Sequence, residues 1–460
     1  MIEDVTPNAW LTNCAEEFGV PKKDLLVLTA NNDPFNIGTP MQVAAAKWFA
    51  RVFESVGYRG IHLRRLHYRA YGAGLEGLHG ETYPNTEPQW AGLQSASRFA
   101  RYLGFVDAED FTDNRAPSPT LSVSGKPYAP VPAYEVAASS GPLEWYLPRI
   151  DADLTGRANP RADYFVEGYD YEHDLQPNLV EVWSEKSGDN ATLIPLAREY
   201  GINYCPGIGF QSVTNIRRMF RRVRDSGKPT RILYISDFDP AGMGMPVQVG
   251  RQTQFAFWQL AEIAEDEGVA NVKLEPIALT YDQVVEWRLP RKPLEGGRRG
   301  DWEGRFGEGA VEVDALEANH PGILGAIVKA RVEALQDATL RQRVADAEEA
   351  ANRRVEVAIQ EVVDRHRAEA RETVAEFNEI AEHYRERLAA LSAEFEGEVG
   401  HLRERFSEQR EEFEAEVEAL GVEMPEMPVG EPPHDPGGWM FDSDRDFVDQ
   451  TLEFRRRQKK

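Results

Sequence analysis

Residues 231–245, R-I-L-Y-I-S-D-F-D-P-A-G-M-G-M, decide how the chain is read. Ile232, Leu233, Tyr234 and Ile235 form a short apolar run rich in β-branched and aromatic side chains, bounded upstream by Gly227 and Pro229. This predicts a strand buried on both faces, hence an inner strand of a parallel sheet. Asp237 and Asp239 follow where the strand should end, and side chains two apart on an extended segment point the same way. Two carboxylates on one side suit a hard cation. The same Asp, Pro and Gly residues equally suit a turn that caps the start of a helix.

Working outward, strands and helices alternate from Asn178 onward. The run 179–183 reads as a strand leading into S-E-K-S at 184–187, and a helix is expected near 191–200. A short strand at 203–205 precedes the loop Gly207-Ile208-Gly209. Gln211 and Ser212 then open a helix carrying Arg217, Arg218, Arg221, Arg222 and Arg224, which suits either a DNA backbone or a solvated face. After the strand at 232–235 come a helix to about residue 267 and a strand at 272–277. The pattern predicts a doubly wound parallel sheet, whose polar sites gather at the carboxyl ends of the strands. Glu185 and the Asp237/Asp239 pair both occupy such ends. One glutamate and a D-x-D pair can share Mg²⁺ beside a phosphodiester.

Upstream, residues 1–115 read as a small helical domain. Three helices are expected, at about 40–55, 61–71 and 89–103, followed by an extended F-V-D-A-E-D-F, a pattern of helix-turn-helix or winged-helix type. Between residues 41 and 105 eight lysines and arginines face four glutamates and no aspartate. That local excess stands out because the whole chain carries a net charge of −25, which would otherwise disfavour a polyanionic partner. On the second helix Tyr68 lies off the apolar face, beside Arg64 and Arg65, whose charge favours a phenolate. His62 and His67 are close in sequence, and His67 falls on the apolar face.

Residues 116–175 read as a linker with short strands. A glycine-interrupted basic loop spans 291–299. Residues 341–422 read as a long coiled-coil helix with a stutter near Phe395, its seam including Tyr384, Leu388, Leu391, Phe395, Val399, Leu402, Phe406, Phe413 and Val417. It carries 12 arginines against 22 acidic residues between 341 and 420, so self-association or spacing suits it better than DNA wrapping. Residues 423–460 are expected to be a disordered tail. Two cysteines, no signal segment and no long apolar run point to a soluble protein of a reducing compartment.

Taken together, S-E-K-S, G-I-G-F-Q-S, D-F-D-P-A-G and V-E-V-D-A-L-E-A resemble the Toprim domain of the topoisomerase VI A subunit and the related meiotic double-strand-break protein. R-R-L-H-Y, residues 64–68, resembles the basic-aromatic motif of that superfamily's winged-helix domain. The resemblance, closest to stand-alone bacterial or phage forms, implies Toprim over 176–340. It implies Tyr68 as a nucleophile assisted by Arg65, Glu185 as general acid/base and metal ligand, and Asp237 and Asp239 as Mg²⁺ ligands. It also implies a homodimer on double-stranded DNA, nucleoid association in the cytoplasm and a separate ATPase partner. The implied reaction is Mg²⁺-dependent transesterification of DNA, as in a type IIB topoisomerase. The rival expectations are a Toprim nuclease that activates water and a non-enzymatic DNA-binding scaffold.

Overall fold

The computed structural model describes residues 5–112, 118–123, 128–139, 145–148, 154–207, 209–263, 271–294, 299–384 and 392–459. The chain forms two compact units, Met1–Pro127 with His173–Asp337 and Glu431–Lys460, and Tyr128–Glu172 with Ala338–Gly430.

The first unit opens with helices α1 (Pro7–Glu17), α2 (Pro40–Val56), α3 (Leu63–Gly72) and α4 (Glu87–Tyr102). Thr39 and Gln42 form a capping box at the start of α2, with Pro40 at the first helical position. Phe49, Leu66, Ala70, Leu93 and Ala100 share one core with Phe111. His67 is a core histidine: its ring bonds the Tyr83 hydroxyl at 2.7 Å and the Asn85 side chain at 3.0 Å. The extended end expected at 105–111 is instead interrupted by a 3-10 turn, Ala108–Asp110, because Asp107 accepts the Glu109 N–H and starts a turn. Only Phe111 pairs, with Ile61.

The second unit contributes β1 (Ala133–Ser139), β2 (Trp145–Tyr146), β3 (Arg157–Ala158) and β4 (Arg161–Glu167) from the stretch expected to be a linker with short strands. β1 and β4 pair antiparallel along their whole lengths, and β2 pairs with β3.

Back in the first unit, β5 (Leu179–Ser184), α5 (Asn190–Tyr200), β6 (Asn203–Pro206), α6 (Val213–Ser226), β7 (Thr230–Ile235), α7 (Pro240–Ile263) and β8 (Val272–Ala278) alternate as anticipated. Shorter helices follow: α8 (Tyr281–Glu286), α9 (Arg299–Phe306), α10 (Val313–Asn319) and α11 (Ile323–Glu333). The sheet order is β6-β5-β7-β8, all parallel. Ile232, Leu233, Tyr234 and Ile235 are wholly buried. Leu233 and Ile235 pack in the cluster with α5, α10 and α11; Ile232 and Tyr234 pack in the one with α6 and α7. Burial of each such side chain contributes about 1.5–3 kcal/mol, which is why this run must be a central strand.

Two side chains tie the layers together. Arg251 on α7, fully buried, bonds both carboxylate oxygens of Asp33 at 3.1 Å and the Leu25 carbonyl at 2.9 Å. Arg222 on α6 reaches the fully buried Glu181 of β5 at 2.6 and 2.8 Å. Two of the five arginines of α6 thus serve the interior, while Arg218, Arg221 and Arg224 are exposed. Arg222 neutralises Glu181, Arg217 bonds Gln259, and Arg221 pairs with Glu109 at 2.9 Å.

α12 (Leu340–Tyr384) and α13 (Ser392–Glu418) belong to the second unit. They are antiparallel: Tyr384 packs on Phe395, Thr373 bonds Gln409, and His366 bonds Glu416. The one long coiled coil of the sequence reading is thus a two-helix hairpin. Its seam, including Phe377, Phe395, Val399, Leu402 and Phe413, is buried within the chain. Leu388 and Leu391 lie outside the described residues.

The tail expected to be disordered is also ordered. β9 (Phe441–Asp442) adds antiparallel to β8, and α14 (Phe447–Lys459) follows. Trp439, Met440, Phe441 and Phe454 are buried, and Lys273 of β8 bonds Asp435 and Asp442. A local W-M-F cluster outweighs the surrounding Pro, Gly and Asp.

Burial alone would raise the Glu181 pKa, but the Arg222 charge and hydrogen bonds from Arg222, Trp183 and Asn203 bring it below its ordinary value of 4.5. Glu181 therefore stabilises the fold above about pH 4.5, and that contribution is lost as the pH falls through its lower folded value. Arg222→Met should cost about 3–5 kcal/mol at pH 7 by leaving a buried carboxylate unpaired. Urea denaturation should show the deficit shrinking as the pH falls, starting above pH 4.5 because burial without Arg222 raises the variant's carboxyl, and ending below the wild type's lowered value.

Candidate active site at the carboxyl edge of the sheet

From β5 the chain crosses to β6 on one side, then returns past β5 to β7 on the other. The sheet therefore has its switch point between β5 and β7, where open α/β sheets form a crevice. The pairing register sets Ser184 opposite Ile235, so both strands end level. Glu185 donates its N–H to the Ile235 carbonyl at 2.9 Å and accepts the Asp237 N–H on Oε2, also at 2.9 Å. The Glu185 carboxylate thus meets the Asp237 backbone across the crevice.

Two glycines permit this closeness. A Cβ on Gly207 would lie 2.7 Å from the Ser184 carbonyl oxygen, and one on Gly242 only 2.0 Å from that of Asp237. Gly207 and Gly209 donate to the carbonyls of Ser184 and Glu185, which gives the Gly207–Gly209 loop its role beside β5. Ile208 lies outside the described residues.

The two aspartates separate in role. Asp239 Oδ1 accepts the N–H groups of Ala241 and Gly242 at 2.8 and 2.7 Å, the capping of α7 that the turn reading proposed. Asp237 is 5 % exposed and turns inward. Its Oδ1 accepts the Val313 N–H at 2.9 Å, and its Oδ2 meets Lys186 Nζ at 2.6 Å. Lys186 also lies 3.9 Å from Glu312 and 4.0 Å from Asp314. Lys292 bonds Glu312.

The electrostatics follow from this crowding. Burial raises the Glu185 pKa; the Asp237 N–H opposes the rise, and the charges of Asp237 and Asp239 add to it. Asp189, behind Ser184, is pushed to about 6 by burial and then by Asp314. Lys186 pays for burial yet is raised overall by Asp237, Glu312 and Glu185. Glu312 is held low, first by its Lys292 hydrogen bond.

Among the described residues no three His, Cys, Asp or Glu side chains form a ready-made metal cage. Mg²⁺ does not need one, since it binds through one or two carboxylates and retains water. The hard oxygens of Glu185, Asp237 and Asp239 fit that chemistry, and the lysine on Asp237 marks a place that a cation occupies. Lys186, Asp189, Glu312, Asp314 and Lys292 had no assigned role in the sequence reading. Lys186 was nonetheless inside S-E-K-S, and Glu312 and Asp314 inside V-E-V-D-A-L-E-A.

Tyr68 lies on the exposed face of α3, 49 % accessible, with the Arg64 guanidinium 5.7 Å from its ring centre. Arg64 also lies over Trp90 at 4.7 Å. Arg65 is exposed, and His62 caps α3 by accepting the Arg64 N–H. Among the described residues no hydrogen bond or ion pair joins Tyr68 or Arg65 to Glu185, Asp237 or Asp239. Of the basic loop at 291–299, residues 295–298 lie outside the described residues.

No protein-family model matches the chain, and no curated protein matches it in sequence. No helix among the described residues is long and apolar enough to cross a membrane.

Gly242→Ala should force the Asp237 backbone to shift, costing about 1–3 kcal/mol in urea denaturation with the far-UV spectrum retained. Gly400→Ala, inside α13 with open space around it, should instead gain up to about 1 kcal/mol.

Proposed function

We propose that this chain is a Mg²⁺-dependent DNA-cleaving enzyme akin to the topoisomerase VI A subunit, with a winged-helix module over α2–α4 and a Toprim module on the parallel sheet. The observation that carries the reading is the meeting of Glu185 and Asp237 at the switch point. A phosphodiester cleavage site needs a proton-transfer group beside anchored carboxylates, and these two side chains supply both. The exposed Arg64, Arg65 and Tyr68 on α3 support a second component, a basic surface that presents a phenol to a DNA backbone.

In this reading the Tyr68 phenolate attacks phosphorus. A phosphotyrosyl ester forms, and the bond from phosphorus to a deoxyribose oxygen breaks. Glu185, its pKa raised by burial, gives the departing oxygen its proton, an effect of about 10²–10⁴ in rate. A Mg²⁺ held by Asp237 and Asp239, and joined by Glu185 once its proton has left, would supply Lewis-acid stabilisation of the charged phosphoryl oxygens. Because Tyr68 bonds to none of these carboxylates within its own chain, a homodimer in which each tyrosine serves its partner's carboxylates suits the arrangement. Strand passage driven by ATP would require a separate subunit.

The test is supercoiled plasmid with Mg²⁺, quenched with denaturant and examined for protein attached to DNA. The expected outcome is an adduct that disappears in Tyr68→Phe and in Asp237→Asn while DNA binding persists. Free ends at an unchanged rate in Tyr68→Phe would replace the tyrosine with water as nucleophile. No cleavage by the wild type, with or without the aspartates, would leave a scaffold.

A further inference from the structure

The sheet's carboxyl edge gathers Glu185, Asp189, Asp237, Glu312 and Asp314 around one side chain, Lys186. Its Nζ lies 2.6 Å from Asp237, 3.9 Å from Glu312 and 4.0 Å from Asp314. The partners are unequal. The Asp237 side chain is 6 % exposed and that of Lys186 is 37 % exposed. A carboxylate this buried requires a positive partner, whereas the lysine, a compact charge on a flexible stem, needs only solvent or another anion. The lysine's backbone is anchored, its N–H bonding Ser184 Oγ at 3.2 Å. Only the stem has freedom to move.

We propose that Lys186 is a built-in counter-ion that exchanges with the catalytic divalent cation. Without the cation it neutralises Asp237 and keeps the edge from repelling itself. A cation held by Asp237 would free the ammonium for an anionic oxygen in the crevice, such as a non-bridging oxygen of the DNA phosphate. Lys186 is then a positioning residue for the carboxylates in one state and a substrate ligand in the other. Cation binding and substrate binding are coupled through one side chain. This inference rests on the reading that Glu185, Asp237 and Asp239 hold a divalent cation.

The experiment is thermal denaturation of the full chain in EDTA and across a MgCl₂ titration, for wild type, Lys186→Met, Lys186→Arg and Asp237→Asn. Lys186→Met is expected to melt below wild type in EDTA. Its stabilisation by Mg²⁺ should reach half-maximum at a concentration lower by about tenfold, since the competitor is gone. Lys186→Arg, which keeps the charge, is expected to restore melting in EDTA. If Lys186→Met proves unfolded in EDTA, purification in Mg²⁺ and stepwise chelation read the same midpoint. A Mg²⁺ midpoint unchanged or raised in Lys186→Met, with the wild-type response abolished in Asp237→Asn, overturns the exchange alone. Absence of any Mg²⁺ response in wild type, or its survival in Asp237→Asn, removes the cation site itself and the exchange with it.

Discussion

The parallel pairing of β5 with β7, both ending at the same level, is the constraint on which the site depends. It brings the Glu185 carboxylate within reach of the Asp237 N–H. That pairing is fixed by burial. Four consecutive fully buried residues of β7 leave the strand no exposed face, and a slip of one position would exchange the two sets of core contacts. The ion pair of Arg222 with Glu181 holds α6 to the sheet, that of Arg251 with Asp33 holds α7 to the N-terminal segment, and both act behind this constraint.

The site concentrates negative charge at one edge and supplies few compensating groups, chiefly Lys186 and Lys292. A protein selected only for stability has little reason to arrange this. Burial first and the neighbouring carboxylates second raise the Glu185 and Asp189 pKa values, and Asp237, Glu312 and Glu185 raise that of Lys186 against its burial. Such perturbed groups at a sheet switch point are a recognised mark of function. Asp239 Oδ1 meanwhile caps α7 while Asp237 turns to Val313 and Lys186, so the two aspartates of one motif are held by different partners.

Much of this was legible in sequence because it rests on periodicity and punctuation. The apolar run at 232–235, the Thr39-Pro40 start of α2 and the Gly-bounded strands each have one physical reading. His67 fell on the apolar face of α3 and is a core histidine. What was not legible depends on contacts remote in sequence. The pairing of Asp237 with Val313 spans 76 residues. The helical period of 341–420 shows a seam without showing that it closes on its own chain. Composition misread the tail, because Pro and Gly set its average while Trp439, Met440 and Phe441 set its energy.

The central claim is that the crevice between Glu185 and Asp237 holds a divalent cation. Anomalous scattering from crystals soaked in Mn²⁺ tests it most directly. The account predicts a peak within bonding distance of the Asp237 carboxylate, with Lys186 moved off Asp237. A crystal saturated with Mn²⁺ that shows Lys186 still paired to Asp237, and no peak at that edge of the sheet, would contradict it.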